Sequence, residues 1–357
     1  MINCTSRLSF FLLAVVIFST LQQLVVVLCE PKVVPCYFIF GDSLVDNGNN
    51  LYRETTEKVN YMPYGIDFPE GPTGRFTNGR TIADIIAELL GFEERIPPYV
   101  NATNGDFLRG VNYGSGGCGI LDETGRQLYG DVISFNEQLS NHESMISHVV
   151  KLLGTESRAK QHLSSCIYSV GFGSNDYLAN YLPKYYSSIS TPYNPQQFAS
   201  LLVSKYSNQL QKLYDYGARK VAVSQLGKLG CVPIQVSTYG ASEGSLCVEM
   251  SNNFVQIFNA KLKLVIEDLN YNLSDANFVY VSNVITSYGN ITNLNEPCCS
   301  LSIDGHCLPG GVICSNRDEH IFWDAFHPTE AVNMIYAKLA HTDMSPLYAS
   351  ADLIDIV

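Results

Sequence analysis

The chain has 357 residues, of which 46% are hydrophobic and 16% are charged, and its formal net charge at pH 7 is −12. This composition is typical of a folded globular protein and excludes a chain that is disordered throughout. A nucleic-acid partner is not expected, because no basic stripe could neutralise phosphate groups. The length is sufficient for one large hydrophobic core or for two smaller domains.

Residues 1–29 have the features of a secretory signal peptide. Arg7 precedes an apolar stretch at residues 8–18, and a second apolar run covers residues 24–28. Two glutamines separate these runs, and an uncleaved signal anchor is the alternative interpretation of such a long apolar segment. We predict cleavage after Cys29 and a secreted, extracellular protein, located in the cell wall or apoplast if the source is a plant. No later stretch approaches the length of a membrane span, so we expect no stable span in the mature form.

The cysteines and the glycosylation sequons both indicate an exported protein. Eleven cysteines are typical of an oxidising compartment. Cys4 and Cys29 lie in the predicted signal peptide, which leaves nine, so at least one thiol stays unpaired within the chain. Three sequons for N-linked glycosylation are present. Their asparagines are Asn101, Asn272 and Asn290.

Short apolar runs between longer amphipathic segments predict five buried parallel strands. They lie at residues 37–40, 111–113, 166–170, 220–223 and 278–281, and the second is the weakest. No repeat, charge block or low-complexity linker divides residues 36–341. We therefore predict a single domain over residues 30–357, after the signal peptide.

Apolar residues at helical spacing predict helices between the strands. Clear stripes cover residues 82–90, 198–213 and 254–269. Gly91 and Gly217 follow the first two stripes, as expected where a helix ends. A further helix is predicted with Pro328 at its first position. Alternating strands and helices predict an α/β fold, a three-layer α/β/α sandwich around a mainly parallel five-stranded sheet.

Candidate catalytic residues occur near both ends of the chain. Ser43 follows the first predicted strand, at the place where parallel sheets build their sites. Asp324 and His327 lie three residues apart in the segment 322–328. A serine hydroxyl becomes an effective nucleophile when a neutral imidazole takes its proton and a carboxylate orients that imidazole. Together the three residues predict an acyl-transfer site.

Each candidate also has a plain structural interpretation. Ser43 could be a turn residue or a helix N-cap, because Gly-Asp-Ser is ordinary turn composition. His327 could cap the following helix, and Asp324 could be a surface acid. Their mutual compatibility favours catalysis, since a carboxylate and an imidazole at this spacing can meet around a third group. The other histidines lack such a pattern and are expected to be structural or exposed. They are His142, His148, His162, His306, His320 and His341.

An acyl-transfer site also needs hydrogen-bond donors for the developing oxyanion. The glycine-rich segment 114–119 could present backbone N–H groups, and a flexible turn is the alternative. It lacks the Gly-Lys-Ser/Thr ending of a phosphate loop. Asn175, in the segment 171–176, offers a neutral side-chain amide, for which an Asx-turn is the alternative.

Four segments resemble the sequence blocks of the plant GDSL esterase/lipase family, which belongs to the SGNH hydrolases. They are residues 40–50, 110–117, 171–176 and 322–328, in the family's order. The resemblance covers essentially the whole mature chain and implies the flavodoxin-like SGNH hydrolase fold. It implies that Ser43 is the nucleophile, His327 the general acid/base and Asp324 its orienting carboxylate.

The resemblance also implies an oxyanion hole. Its donors are the Ser43 backbone N–H, a glycine of the second block and the Asn175 amide. Gly116 matches the family glycine best, and the adjacent Gly117 is the alternative. Gly114 departs from the family, in which alanine is usual at that position. The Gly-Asp-Ser-Leu motif differs from the Gly-x-Ser-x-Gly elbow, which argues against the standard α/β-hydrolase fold.

Four cysteines and a histidine cluster before the second site segment. They are Cys298, Cys299, His306, Cys307 and Cys314. A zinc site is one interpretation, but paired Cys-x-x-Cys knuckles are missing and export favours disulfides, with three pairings open. Any of these pairings would fasten the loop before Asp324. Cys231 and Cys247 are predicted to pair, and three cysteines that flank strands are predicted to be buried thiols. These are Cys36, Cys118 and Cys166.

The leading function is a secreted serine ester hydrolase that cleaves carboxylic acyl esters through a Ser-His-Asp triad and an acyl-enzyme. One alternative is an acyltransferase that uses the same acyl-enzyme with a hydroxyl acceptor. The other is a catalytically idle extracellular glycoprotein. We expect a small-molecule or lipid ester as the substrate, and neither a metal nor a cofactor.

Overall fold

The computed structural model describes residues 34–187, 192–282, 284, 285 and 289–348. The predicted signal peptide, residues 1–29, lies outside the described residues. Four strands form a parallel sheet in the order β1-β2-β3-β4. Their bounds are β1 Tyr37–Gly41, β2 Ile167–Gly171, β3 Lys220–Ser224 and β4 Asn277–Val281.

Helices cover both faces of this sheet. Their bounds are α1 Ile82–Leu89, α2 Arg126–Tyr129, α3 Phe135–Leu153, α4 Glu156–Ser165, α5 Leu182–Tyr186, α6 Pro195–Asp215, α7 Pro233–Tyr239, α8 Glu249–Asn272, α9 Glu330–Asp343 and α10 Ser345–Tyr348. Successive side chains of a strand point to opposite faces. Thus Phe38 packs in the core with α3, α4, α6 and α8, whereas Ile39 packs in the core with α1, α9 and α10. The predicted three-layer α/β/α sandwich is confirmed.

The sheet has four strands and not five, because residues 111–113 do not form a regular strand. The segment runs beside β1, where the Tyr113 N–H donates to the Ile39 carbonyl at 2.8 Å. On the side away from β1, the Asn112 N–H donates to the Pro97 carbonyl at 2.9 Å. The segment pairs with β1 at a bridge between Ile39 and Asn112, and backbone bonds also join its flanking residues to Tyr37 and Gly41, but the segment forms no regular strand.

The ends of the helices follow from local sequence. At the start of α1, the Thr81 hydroxyl accepts from the Asp84 N–H while the Asp84 carboxylate accepts from the Thr81 N–H, a reciprocal capping box. Gly91, which follows α1, has φ +82°, the left-handed conformation that stops a helix. The helix predicted to begin at Pro328 begins instead at Glu330. Thr329 is its N-cap, because the threonine hydroxyl satisfies a free N–H of the first turn.

A second, two-stranded parallel sheet lies just before the C-terminal site segment and was not predicted. It pairs β5 (Asn293–Pro297) with β6 (His320–Phe322). The intervening residues are held by two disulfides, Cys298–Cys314 and Cys299–Cys307. These four sulfurs are consumed in disulfides, so the zinc interpretation is excluded and one of the three open pairings is selected.

One prediction about the remaining cysteines is wrong. Cys231 and Cys247 form the predicted disulfide, and Cys118 is the predicted buried free thiol. Cys36 and Cys166 were also predicted to be buried thiols, which is wrong, because they are bonded to each other. Each immediately precedes a strand, and β1 and β2 are adjacent parallel strands, so the two residues meet at the amino ends of the strands.

Candidate active site

Ser43 lies in a tight turn at the carboxyl end of β1. The Asp42 carbonyl accepts the N–H groups of Val45 and Asp46, at 3.2 Å and 3.0 Å, which folds the chain back directly after the strand. A Cβ at Gly41 would lie 2.6 Å from Val45 Cγ2, so only glycine allows this close return. The turn leaves Ser43 beyond the end of the sheet, where it lines a cavity.

Asp324 and His327 lie in a second tight turn, between β6 and α9. The Trp323 N–H donates to the His327 carbonyl at 2.8 Å and closes the turn. Asp324 Oδ1 accepts the backbone N–H groups of Phe326 and His327, each at 2.8 Å. These two bonds fix the position of the carboxylate independently of its contact with the His327 ring.

The structure brings the three predicted side chains together. His327 Nε2 lies 2.8 Å from Ser43 Oγ, and His327 Nδ1 lies 2.9 Å from both oxygens of Asp324. Ser43 is 7% exposed, His327 6% and Asp324 0%, so water has little access to these contacts. An Nδ1–H that donates to Asp324 leaves Nε2 free to accept the serine proton.

Tyr64 is a further member of the site that the sequence did not reveal. Its Oη donates to Asp324 Oδ2 at 2.6 Å and accepts the Cys307 N–H at 3.0 Å. The tyrosine thereby ties the carboxylate to the disulfide-bonded loop. No pattern around Tyr64 distinguishes it from a tyrosine of the core.

The charge of Asp324 is maintained inside the protein. Burial alone would raise the pKa of this carboxyl, but the charge of His327 and its hydrogen bond, followed by the charge of His306 and the Tyr64 hydrogen bond, hold the pKa below its usual value. A carboxylate that stays ionised can stabilise an imidazolium as it forms on His327.

The glycine-rich segment lies against the residues that follow Ser43. Asp46 Oδ2 accepts the Gly116 N–H at 2.9 Å, and Asn50 Nδ2 donates to the Gly116 carbonyl at 3.1 Å. The N–H of Gly116, the glycine predicted as a donor, is therefore already paired. The N–H of Gly117 has no acceptor among the described residues, and Gly117 has φ +79°.

Asn175 lines the same cavity as Ser43. One N–H of its side-chain amide donates to the Cys118 carbonyl at 2.9 Å, which orients the amide. The second amide N–H has no acceptor within the described part of the chain, nor has the backbone N–H of Ser43. Both groups could therefore donate to a ligand.

The cavity at Ser43 and His327 has a volume of about 530 Å³, which is in the range of small-molecule sites. Most of its wall is apolar and comes from the helices on both faces and from the strand ends. Representative residues are Val45, Ile82, Ile86, Leu226, Leu229 and Met344. Titratable side chains also reach the wall, and these include Asp42, Glu57, Lys228, His306 and His327. Burial raises the pKa of Asp42 to about 6.

His306 lies beside the site, although the sequence analysis grouped it with the structural or exposed histidines and with the cysteine cluster. It is buried, and its ring lies 6.3 Å from the His327 ring, centroid to centroid, with only 8° between the planes. His306 Nε2 approaches Glu57 Oε2 at 3.6 Å, and Nδ1 approaches Asp304 Oδ2 at 3.5 Å. Burial lowers the pKa of His306, but Glu57 and then the charges of Asp324 and Asp304 outweigh burial and raise it to about 9.

Cys36, His162 and Cys166 come close enough together to suggest a metal site. The two cysteines form a disulfide, which leaves no thiolate to bind an ion. Within the described ranges, no helix combines the length and the apolar character that crossing a bilayer requires.

Comparison with known proteins identifies the family of this chain. The model of the GDSL-like lipase/acylhydrolase family matches residues 37–340. GDSL esterase/lipase At1g29670 of Arabidopsis thaliana is 49% identical over 324 residues, which cover 87% of this chain and 88% of the relative. GDSL esterase/lipase At1g29660, from the same plant, is 48% identical over 325 residues, with the same coverage of 87% and 88%. The resemblance inferred from the four sequence blocks is therefore confirmed. The chain belongs to the GDSL esterase/lipase family of the SGNH hydrolases, and its enzyme class is that of the carboxylic ester hydrolases.

Proposed function

We propose that the protein hydrolyses carboxylic acyl esters with Ser43 as nucleophile, His327 as general acid/base and Asp324 as the carboxylate that orients His327. The observation that carries this proposal is the distance of 2.8 Å between Ser43 Oγ and His327 Nε2. Activation of a serine requires such a contact with a neutral imidazole.

The reaction proceeds through an acyl-enzyme. Ser43 Oγ attacks the ester carbonyl carbon while His327 Nε2 takes the hydroxyl proton, and the carbonyl oxygen becomes an oxyanion. Collapse of this intermediate breaks the bond to the alcohol, which leaves with the proton from His327. Water then attacks the Ser43 ester, gives its proton to His327, and the acid is released as Ser43 regains its hydrogen.

The oxyanion is stabilised by three donors, which are the Ser43 N–H, the Gly117 N–H and the Asn175 amide. Gly117 replaces Gly116 in this role because the Gly116 N–H is paired with Asp46 at 2.9 Å. A donor that is already satisfied by a buried carboxylate could serve an oxyanion only by breaking that bond.

The nucleophile is tested with a fluorescent alkyl phosphonate that reacts covalently with activated serines. The wild-type protein should be labelled and should hydrolyse a short-chain ester, whereas Ser43→Ala should do neither. Ser224→Ala is the matched control, because Ser224 lines the same cavity and has no hydrogen bond to His327. Ester hydrolysis by Ser43→Ala at the wild-type rate would refute the assignment.

We also propose that residues 1–29 are removed as a signal peptide and that residues 30–357 form a single secreted domain. The four disulfides and the exposure of Asn101, Asn272 and Asn290 support export and glycosylation. N-terminal sequencing of protein recovered from the medium of a eukaryotic host tests the cleavage after Cys29. A mass decrease on treatment with a glycosidase tests the glycans.

A further inference from the structure

Glu57 is a buried carboxylate whose polar partner is His306, in an ion pair. The residue is 5% exposed, and neither of its carboxylate oxygens accepts a hydrogen bond from any described residue. The contact with His306 Nε2, at 3.6 Å, is longer than a direct hydrogen bond. His306 thus compensates the charge of Glu57, and the carboxylate lone pairs can still accept a hydrogen bond from a ligand in the cavity.

Glu57 and His306 flank the reacting groups. Both line the cavity that contains Ser43 and His327. A Cβ built on Gly117 would lie 2.9 Å from Glu57 Cγ, so the glutamate side chain passes directly beside this glycine. The His306 ring lies nearly parallel to that of His327. The pair therefore borders both the glycine of the proposed oxyanion hole and the imidazole that acts as general acid.

The chemistry of the pair fits a hydroxyl group. Glu57 can only accept a hydrogen bond, and a protonated His306 can only donate one. A hydroxyl group both donates and accepts, and so can satisfy both side chains at once. An alcohol that carries a cation would meet the positive charge of His306, and one that carries a carboxylate would meet the negative charges of Glu57 and Asp304.

We propose that Glu57 and His306 form a binding subsite for a hydroxyl group of the leaving alcohol, so that the enzyme prefers esters of polyhydroxy alcohols. This inference rests on the proposed Ser43 chemistry. The alcohol is assigned to this side because His327, which protonates the leaving oxygen, stacks beside His306. The apolar walls at Val45, Ile82 and Ile86 suit the acyl chain instead.

The test compares two esters of the same fatty acid, the 1-glyceryl ester and the n-propyl ester, which differ by two hydroxyl groups. The wild-type protein should have the higher kcat/KM for the glyceryl ester. Glu57→Gln and His306→Gln should each lower the ratio of the two kcat/KM values by about ten-fold or more, because a hydrogen bond to a charged group is lost. Glu54→Gln is the matched control, since Glu54 is exposed and its substitution removes the same charge outside the cavity.

A ratio near one in the wild-type protein, or a ratio unchanged in both variants, would overturn the inference. Preference for the matching choline ester over the glyceryl ester would also overturn it, because Glu57 would then bind a cation. If the wild-type protein hydrolyses the propyl ester and Ser43→Ala does not, the proposed function stands whichever result the subsite test gives. The failure of the subsite and the failure of the catalytic assignment are thus separate results.

Discussion

Tyr64 Oη lies 2.6 Å from Asp324 Oδ2, although 260 residues separate the two in the chain. The same oxygen accepts the Cys307 N–H at 3.0 Å. One phenol thus joins the carboxylate that orients His327 to a loop that is closed by the Cys299–Cys307 disulfide. The orientation of the imidazole depends on this loop as well as on the turn that carries Asp324 and His327.

Tyr64→Phe should lower kcat by about 10- to 100-fold with a small effect on KM, because a hydrogen bond to a charged group is lost while the ring is kept. The buried Cys307 N–H loses its acceptor, so the free energy of unfolding should fall by about 1–3 kcal/mol. Steady-state kinetics and urea unfolding measure the two effects. Tyr61→Phe is the control, because Tyr61 Oη donates to the Cys307 carbonyl at 3.1 Å and makes no hydrogen bond to Asp324. Equal kinetics for both variants would contradict the role of Tyr64.

Asn175→Ala should lower kcat by about 10²–10³-fold, the usual effect of removing one oxyanion donor. The expected loss is in kcat because the donor acts on charge that develops in the transition state. Asn180→Ala provides the comparison, since Asn180 Nδ2 donates to Thr124 Oγ1 and does not line the cavity. A loss of activity in Asn175→Ala that is matched by a loss of thermal stability would point to a structural role instead.

Replacing Cys299 and Cys307 by serine should reduce activity as well as stability. The loop that this disulfide closes supplies the Gly305 carbonyl, which accepts the Ala325 N–H at 3.0 Å, beside Asp324. A bridge over a separation of 8 residues contributes about 2–3 kcal/mol by loop closure. Activity is measured at a temperature at which circular dichroism shows the variant to be folded.

Removal of the Cys36–Cys166 disulfide is the matching control for that experiment. This bond joins the amino ends of β1 and β2, at the opposite end of the sheet from Ser43. Stability should fall, but kcat of the folded protein should not. A folded Cys299/Cys307 variant with the wild-type kcat would show that the loop does not support the site.

The stability of the protein should decrease in a specific pH window because of His306. Its pKa is raised in the folded state to about 9, above the ordinary value of 6.5. The resulting stabilisation is present in full below pH 6.5 and is lost as the pH rises through 9, at which His306 becomes neutral. The shift corresponds to about 3 kcal/mol.

Urea unfolding of the wild-type protein and of His306→Gln at pH 6 and pH 10 measures this contribution. The free energy of unfolding should fall more between these pH values in the wild-type protein than in the variant. His148→Gln, an exposed histidine on α3, should behave like the wild-type protein. Parallel pH profiles for the wild-type protein and His306→Gln would exclude a charged His306.

Much of the fold could be predicted because its signals are local. The apolar runs at residues 37–40 and 220–223 correspond to β1 and β3, and the stripe at residues 82–90 corresponds to α1. Periodicity and helix caps depend on neighbouring residues, so they can be recognised without knowledge of the tertiary contacts. The segment 111–113 shows the limit of such local signals, because its apolar character does not reveal that it forms an isolated bridge with β1 and not a regular strand.

The candidate catalytic residues could also be named in advance, because each lies in a short recognisable block. Ser43 and the Asp324–His327 pair depend on motifs that can be read from a few consecutive residues. The donor that we propose in the glycine-rich segment could not be selected from the sequence, because that proposal depends on a contact with Asp46. That carboxylate, 70 residues away in the chain, occupies the Gly116 N–H and leaves Gly117 open.

Short stretches of this chain thus determine its local structure, identify its family and indicate which residues have suitable chemistry. Short stretches do not determine the distances between these residues in the folded protein. No sequence pattern links Tyr64, Glu57 or His306 to the Ser43 site. Each lies there only because the folded core and the disulfides bring distant segments together around Asp324 and His327. The physical reason is that a hydrogen bond or an ion pair depends on ångströms in space, whereas separation along a folded chain says almost nothing about that distance.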